Sequence, residues 1–209
     1  MKSLNVKVYY TEELLGTASA NPEIHSEFIA SKAPDAESRA EEIAAIGAEA
    51  YEEKAMTVFP RSENGQPFTY DYQWKGYFKD SCGMLRRGDE YKSKKLKAYK
   101  KEIDGLVFVF PREIPLQLPD GATVGNCQRP LRASTAQGER VALANSETVP
   151  AGTVQEFEIR VLRDDLLSYV LEWLTYGELH GTGQWRNSGK GRFVFEAVCD
   201  GKKYSNVHK

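Results

Sequence analysis

The order of six periodic segments limits this chain to few folds. Strand-like and helix-like hydrophobic patterns follow one another in the order strand, helix, strand, strand, helix, strand. The segments are residues 4–10, 71–87, 105–110, 147–162, 164–180 and 191–199. This order predicts an α+β fold with a ferredoxin-like (RRM-like) βαββαβ core.

Two stretches do not fit this core, and we predict that they are insertions into a single domain spanning 1–209. Residues 21–60 are rich in alanine and glutamate, so we expect an acidic helical insertion. Residues 112–147 are predicted to be extended, with 112–118 prolonging the preceding strand. A hairpin is expected to follow, turning near Gln137 and Gly138.

The formal net charge of −2 hides a strongly dipolar chain. Residues 35–53 carry seven acids and one arginine, whereas 86–101 carry eight bases and two acids and are predicted to form a lysine-rich helix. Solvated helix faces would explain both runs. The two runs could also pair within one molecule, or between copies in a head-to-tail assembly that grows into a filament.

Composition favours a cytoplasmic globular protein. Hydrophobic residues make up 41%, and no apolar run approaches the roughly 20 residues of a membrane span. The first residues enter a strand pattern without the apolar core of a signal peptide. Cys82, Cys127 and Cys199 are odd in number and far apart, which favours a reducing compartment. The histidines are scattered, so we expect no metal and no cofactor.

The segment GTGQWRNSGKGRF, residues 181–193, combines glycines with basic residues. It is not a phosphate-binding P-loop, because Gly183 and Gly189 are separated by five residues and the segment joins a helix to a strand. We interpret it as a basic loop in which Arg186, Lys190 and Arg192 pair with phosphates and Trp185 stacks on a base. Equally, Trp185 could pack on the preceding helix while the basic side chains of the loop face water.

Three stretches, in the expected order, resemble the RAMP superfamily of CRISPR-associated proteins, specifically the RNA-wrapping backbone subunits of effector complexes. NGQPFTYDYQWKGYFKDSCGMLRR (64–87) is similar to the family segment that opens the first core helix. ERVALANSETVPAGTVQEFEIRVL (139–162) resembles the lead into the third strand, and GTGQWRNSGKGRFVFE (181–196) the glycine-rich signature before the last. Tyr70-Asp71-Tyr72-Gln73 departs from the usual Pro-Gly-Ser-Ser. The layout also resembles that of prophage-encoded proteins.

The resemblance implies a path for RNA. In the family, phosphates run past the start of the first core helix, and a thumb-like hairpin presses between bases; in this chain the hairpin would be 126–147. The residues at the matching places are Lys75 and Lys79 in the first core helix and Arg129, Arg132 and Arg140 in the hairpin. Arg86 and Arg87 open the basic stretch, which would extend the path. Both places also have an ordinary interpretation. Lys75 and Lys79 could simply reach water beside an aromatic core, and 126–147 could be a plain surface hairpin.

These observations predict a non-catalytic protein that binds single-stranded RNA, or less favourably single-stranded DNA, and assembles into homo-oligomers or filaments. CRISPR effector proteins are further expected partners, and a membrane is not. The alternatives are a phage anti-CRISPR protein that imitates such a subunit, a phage single-stranded DNA-binding protein, and a metal-independent RAMP-type endoribonuclease using His25 or His180 as general acid–base.

Overall fold

The computed structural model of the protein describes residues 1–20, 56–135 and 138–207, with the side chains of 131–135 and 138–142 left out. Two compact units are present. The first comprises Met1–Leu14, Pro60–Thr123 and Val149–Lys209, and the second Leu15–Phe59 and Val124–Thr148. Most of the acidic insertion predicted at 21–60, including His25, lies outside the described residues.

Strands outnumber helices in the described residues. In chain order, the strands are β1 (Lys2–Tyr10), β2 (Leu14–Leu15), β3 (Ala18–Ser19), β4 (Thr57–Val58), β5 (Phe68–Tyr70), β6 (Val107–Phe110), β7 (Glu113–Pro115), β8 (Gly125–Thr135), β9 (Gly138–Val149), β10 (Val154–Val161), β11 (Phe193–Cys199) and β12 (Lys202–Ser205). The α-helices are α1 (Asp71–Leu85), α2 (Tyr99–Leu106) and α3 (Leu166–His180), and short 3₁₀ helices span Lys92–Lys95 and Arg186–Ser188.

The first unit contains the predicted core. Its main sheet is antiparallel, with the strand order β12-β11-β1-β10-β6. Along the chain, α1 lies between β1 and β6, and α3 lies between β10 and β11. Without the edge strand β12, this is a βαββαβ sheet in which the first and third core strands are central. The ferredoxin-like prediction is therefore confirmed.

One face of this sheet packs against the helices. The buried residues of β1 alternate, with Leu4, Val6 and Val8 on the helical face, as the strand period of two requires. The buried residues of α1 form one stripe, Trp74, Tyr77, Phe78, Ser81, Cys82 and Leu85. The buried residues of α3 are Leu166, Val170, Trp173, Leu174 and Gly177. Leu167 and Leu171 of the same helix are only half-buried.

The second unit contains the predicted hairpin. Strands β8 and β9 pair antiparallel from Gly125↔Thr148 to Thr135↔Gly138, and the turn predicted near Gln137 and Gly138 lies partly outside the described residues. Strand β9 also continues the sheet order β2-β9-β4-β3. The β-hairpin insertion is therefore confirmed.

Two local predictions were wrong. The basic stretch 86–101 is not one helix, because Ser93 and Leu96 turn inward and a 3₁₀ turn separates α1 from α2. Residues 112–118 do not prolong β6. Instead, β7 pairs with β5, and Gln117 bridges to Val154 at the start of β10. Both errors come from long-range partners that a local pattern does not contain.

None of the helices in the described ranges combines the length and the apolar character that crossing a bilayer requires.

Candidate nucleic-acid interface

A buried chain of hydrogen bonds joins the three motif segments at one end of the main sheet. The Tyr10 hydroxyl donates to Gln155 Oε1 (2.9 Å) and lies 3.4 Å from Thr182 Oγ1. Gln155 Nε2 donates in turn to Thr69 Oγ1 (2.8 Å) and to the Ile114 carbonyl (3.1 Å). Thr69, Gln155 and Thr182 come from the first, second and third motif respectively. The network therefore links the start of α1 to the base of the glycine-rich loop.

The glycine-rich loop, residues 181–192, is closed at its base by tight backbone packing. Thr182 N donates to the Gly191 carbonyl (2.8 Å), and Gly191 N donates to that of Glu13 (2.7 Å). Gly181 and Gly191 have φ of 74° and 70°. A side chain at Gly191 would overlap the Thr182 carbonyl oxygen. These two glycines are explained by the geometry of the loop itself, without a ligand.

Arg186 at the tip of this loop is held by α1. Its Nη1 pairs with Asp80 Oδ2 and lies 3.2 Å from His180 Nε2, while His180 Nε2 is 2.6 Å from the same carboxylate. Tyr176 stacks on the His180 ring at 4.9 Å. Burial opposes ionisation of Asp80, but the His180 hydrogen bond and the Arg186 charge outweigh it and lower the Asp80 pKa. This cluster fixes the loop to the helix.

The other loop residues differ in exposure. Lys190 pairs with Glu13 (2.7 Å). Arg192 is exposed and makes no ion pair with any described residue. Trp185 is 40% exposed and sits in the left-handed region with a φ of 56°.

Lys75 and Lys79 lie on the side of α1 that faces α2. Lys79 pairs with Asp104 Oδ1 (2.5 Å), and Lys75 donates to the Asp104 carbonyl (3.1 Å) while lying 4.4 Å from the Phe108 ring centre. Burial lowers the Lys75 pKa. Asp80, which holds Arg186, projects from a different side of α1. The two lysines and Arg186 therefore flank the exposed ridge of that helix rather than forming one cluster.

The N-terminus of α1 carries aromatic side chains where the family usually has Pro-Gly-Ser-Ser. The rings of Tyr70 and Tyr72 stack at 5.3 Å, and the Arg112 guanidinium lies 5.7 Å from the Tyr70 ring. Tyr72 is 40% exposed. Asp71 in the first helical turn puts a carboxylate where a helix would otherwise favour a phosphate. This end of α1 is better suited to stacking than to phosphate binding.

The remaining predicted residues fall in different parts of the molecule. Arg86 stacks on Tyr99 (4.9 Å) at the C-terminal end of α1, and Arg87 beside it is exposed. Arg129 is buried within the second unit. Arg132 and Arg140 lie opposite Val141 and Ala133 in the hairpin, and their side chains are outside the described part of the chain.

The sheet face opposite the helices is charge-compensated. Lys7 pairs with Glu156 (2.8 Å), Arg160 pairs with Glu158 (2.8 Å), and Tyr9 donates to Glu196 (3.0 Å). RRM proteins stack bases on the corresponding face. In this chain three carboxylates cross it, so this face is a poor match for a polyanion.

Sequence reasoning missed Asp80 and Tyr72. Asp80 is 106 residues from Arg186, and a lone acid on a helix gives no sign of such a partner. Tyr72 could have been singled out from the sequence, because it stands within the four residues that replace the Pro-Gly-Ser-Ser of the family segment. In the described ranges, no group of three His, Cys, Asp or Glu side chains is placed to hold a metal ion.

No protein-family model matches the chain, and no curated protein is significantly similar to it in sequence. Solved structures are similar in fold. A chain of a Type III-B Cmr-β complex bound to cognate target RNA aligns over 98% of this chain with a TM-score of 0.56 and 10% identity. This chain spans 60% of the length of that one. A chain of a Type IV-B CRISPR complex aligns over 99% of this chain and 95% of its own length, with a TM-score of 0.48 and 11% identity.

The Type III-B match confirms, at the level of the fold, the resemblance that the three motifs predicted. The chain has the fold of a chain in the Type III-B Cmr-β structure.

Proposed function

We propose that this protein is a non-catalytic binder of single-stranded nucleic acid, of RNA in preference to DNA, that works as a backbone-type subunit in an assembly with CRISPR proteins. The observation that carries the proposal is the buried Thr69–Gln155–Tyr10–Thr182 network. It fixes the base of the glycine-rich loop beside the start of α1, and Arg186 at the loop tip reaches Asp80 further along that helix, so the loop with Trp185 and its cations lies along α1, whose first turn carries the exposed Tyr72.

The chemistry of this end suits an extended strand. Trp185 and Tyr72 offer exposed rings for base stacking, which contributes about 1–3 kcal/mol per base. Arg192 can contact phosphate. Arg186 and Lys190 are paired with carboxylates, but partly exposed ion pairs of this kind contribute only about 0–1 kcal/mol. A phosphate can therefore compete for both cations at little cost.

The absence of catalysis is part of the proposal. General acid–base chemistry needs a group that reaches the 2′-hydroxyl. The His180 Nε2 atom is already engaged by Asp80 and Arg186, and Tyr176 covers one face of the ring. We expect no cleavage of a hairpin RNA over hours. Cleavage that disappears in His180→Ala would contradict this expectation.

One observation favours a second candidate, a phage protein that imitates a backbone subunit and binds effector proteins. Asp80 and Glu13 already neutralise two of the loop cations. If their pairing persists, intrinsic affinity for nucleic acid is weak, and a stable complex with effector proteins forms instead.

The experiment is a fluorescence-anisotropy titration with unstructured RNA and DNA of the same sequence, roughly 20 nucleotides long, which exceeds common single-strand site sizes of about 4–16. We expect RNA to bind more tightly than DNA, and log K to fall linearly with log salt. Absence of binding to either strand at low salt would contradict the proposal and favour the imitation candidate.

A further inference from the structure

The segment Lys92–Lys101 has the densest positive charge of the described chain. Its sequence KSKKLKAYKK holds six lysines and no acid, and all six lysines are exposed. Only Lys94 makes an ion pair with a described residue, Asp89. We call this segment the lysine strip. Its charge is therefore mostly uncompensated, in contrast with that of the glycine-rich loop.

The backbone of the lysine strip is fixed by α3. The Glu172 carboxylate accepts hydrogen bonds from Lys92 N (2.7 Å), Ser93 N (2.9 Å) and Ser93 Oγ (2.5 Å). Trp173 Nε1 donates to Ser93 Oγ (2.9 Å), and Ser93 is fully buried. Leu96 is also buried. Ser93 and Leu96 thus point inward, and the lysines between and after them point outward.

This anchor has a consequence for binding. A chain of exposed lysines normally loses conformational entropy when a ligand orders it. In the lysine strip the backbone is already ordered, so only the lysine side chains remain to be fixed. Glu172 is turned inward on backbone N–H groups, so its charge stabilises the anchor rather than a lysine.

We propose that the lysine strip is a second phosphate-binding surface, used by the part of a strand that extends beyond the glycine-rich loop. The inference rests on the proposed function and adds a second contact to it. Nucleic acid fits better than protein, because lysine is depleted at protein interfaces and the large apolar side chains of the strip are nearly all covered. Tyr91 at its border is the exception, at 37% exposed.

The position of the strip supports one continuous path. The loop contacts α1 at Asp80, and Arg86 at the end of that helix stacks on Tyr99 of the strip. These two points on α1 are six residues apart, which is about 9 Å along the helix axis. Neighbouring nucleotides of one strand lie at least about 3.4 Å apart, so a dinucleotide is too short to cover this distance and can occupy the loop alone, whereas a longer RNA reaches both regions.

The test compares RNAs of about 2 and about 20 nucleotides, lengths below and beyond common single-strand site sizes of about 4–16. In Lys97→Glu/Lys100→Glu we expect the affinity for the long RNA to fall about tenfold or more. The affinity for the short RNA should change less than about threefold. The salt slope with the long RNA should shrink by about 1.4, since each lost phosphate contact on a single strand contributes about 0.7.

Two further variants make the test specific. Lys202→Glu/Lys203→Glu changes charge equally on the exposed edge strand β12 and should leave the long RNA bound as in the wild type. Glu172→Ala keeps every lysine but removes the anchor. It should weaken the long RNA severalfold and spare the short one.

The outcomes separate the two claims. If the wild type binds both RNAs and the strip variant behaves like the β12 variant, the lysine strip is only a solvated surface and the inference is wrong. If the strip variant instead lowers self-association in sedimentation while RNA affinity is unchanged, the strip binds a second copy and the inference is again wrong. If neither RNA binds the wild type, the proposed function fails and the inference fails with it.

Discussion

The glycine-rich loop and the lysine strip are both basic, yet the fold treats their charges in opposite ways. In the loop, Arg186 and Lys190 are each paired with a carboxylate, and the base of the loop is locked by backbone hydrogen bonds. In the strip, the Glu172 carboxylate binds the backbone and leaves the lysines to water. The loop therefore holds most of its cations in ion pairs, whereas the strip, among the described residues, leaves most of its cations unpaired on an anchored backbone.

This difference assigns different parts of binding to each region. Base stacking needs a ring held at a defined place, which the loop provides through Trp185. Electrostatic attraction needs uncompensated cations but no exact geometry, which the strip provides. Substitutions in the loop should therefore lower the stability of the fold and the affinity for a short strand. Substitutions in the strip should lower the salt-dependent affinity for a long strand.

The largest expected effect is on the stability of the loop base. Gly191→Ala places a side chain at a φ of 70° and against the Thr182 carbonyl. We expect a loss of about 2–5 kcal/mol in the free energy of unfolding, from left-handed strain of about 1–2 kcal/mol and steric overlap of about 1–3 kcal/mol. Urea denaturation measures it.

Gly121→Ala is the matched control for that variant, since Gly121 has a φ of 75° and open space around it. It should lose only the strain, about 1–2 kcal/mol. Equal losses in the two variants would show that the loop base is not tightly packed.

The buried network should be next in size. Gln155→Leu leaves the Thr69 hydroxyl, the Tyr10 hydroxyl and the Ile114 carbonyl without their Gln155 partner. Unsatisfied buried groups cost about 1–3 kcal/mol each, and we expect about 2–3 kcal/mol in total after partial relaxation. Thermal or urea unfolding checks this. The exposed Gln117→Leu should stay within about 0.5 kcal/mol of the wild type. A neutral Gln155→Leu would remove the basis for joining the three motifs.

A smaller effect is expected on short-strand affinity. Trp185→Ala should weaken the binding of an RNA of about 2 nucleotides about tenfold, within the range of about 1–3 kcal/mol for one stacked base. Tyr91→Ala, at the border of the lysine strip, removes a ring of similar exposure and should leave that affinity unchanged. Anisotropy titrations compare the two. Similar losses in both would erase the proposed division between stacking and electrostatics.

The smallest effect concerns pH. The Asp80 pKa is lowered below its ordinary value of 3.8, so the ionised carboxylate stabilises the folded state above that value. The contribution is lost as the pH falls through the lowered folded pKa. Asp80→Asn should therefore cost up to about 1 kcal/mol near neutral pH, the range for partly exposed pairs, and nothing in strong acid.

Asp89→Asn is the comparison, since Asp89 forms a more exposed ion pair with Lys94 of the strip. It should have no measurable effect at either pH. A cost of Asp80→Asn that does not shrink in acid would mean that Asp80 acts through packing rather than charge.

Sequence patterns predicted the core elements well because each is encoded locally. The alternation in β1, the aromatic stripe of α1 and the apolar face of α3 all lie within a single segment. The positions of Asp80 and Glu172 were not predictable in the same way. Asp80 meets Arg186 across 106 residues, and Glu172 meets Ser93 across 79. The lysine strip was predicted as a helix because its sequence does not show that Ser93 has a buried partner on α3.

The most direct measurement is photo-crosslinking of a thiouridine-labelled RNA of roughly 20 nucleotides to the wild-type protein, followed by mass spectrometry of the attached peptides. We expect crosslinks in residues 181–192 and 92–101, with the second group lost when the RNA is shortened to about 2 nucleotides, because at about 3.4 Å per nucleotide such an RNA is too short to cover both regions. Crosslinks confined to the charge-compensated sheet face, at Lys7, Tyr9 or Arg160, would contradict it.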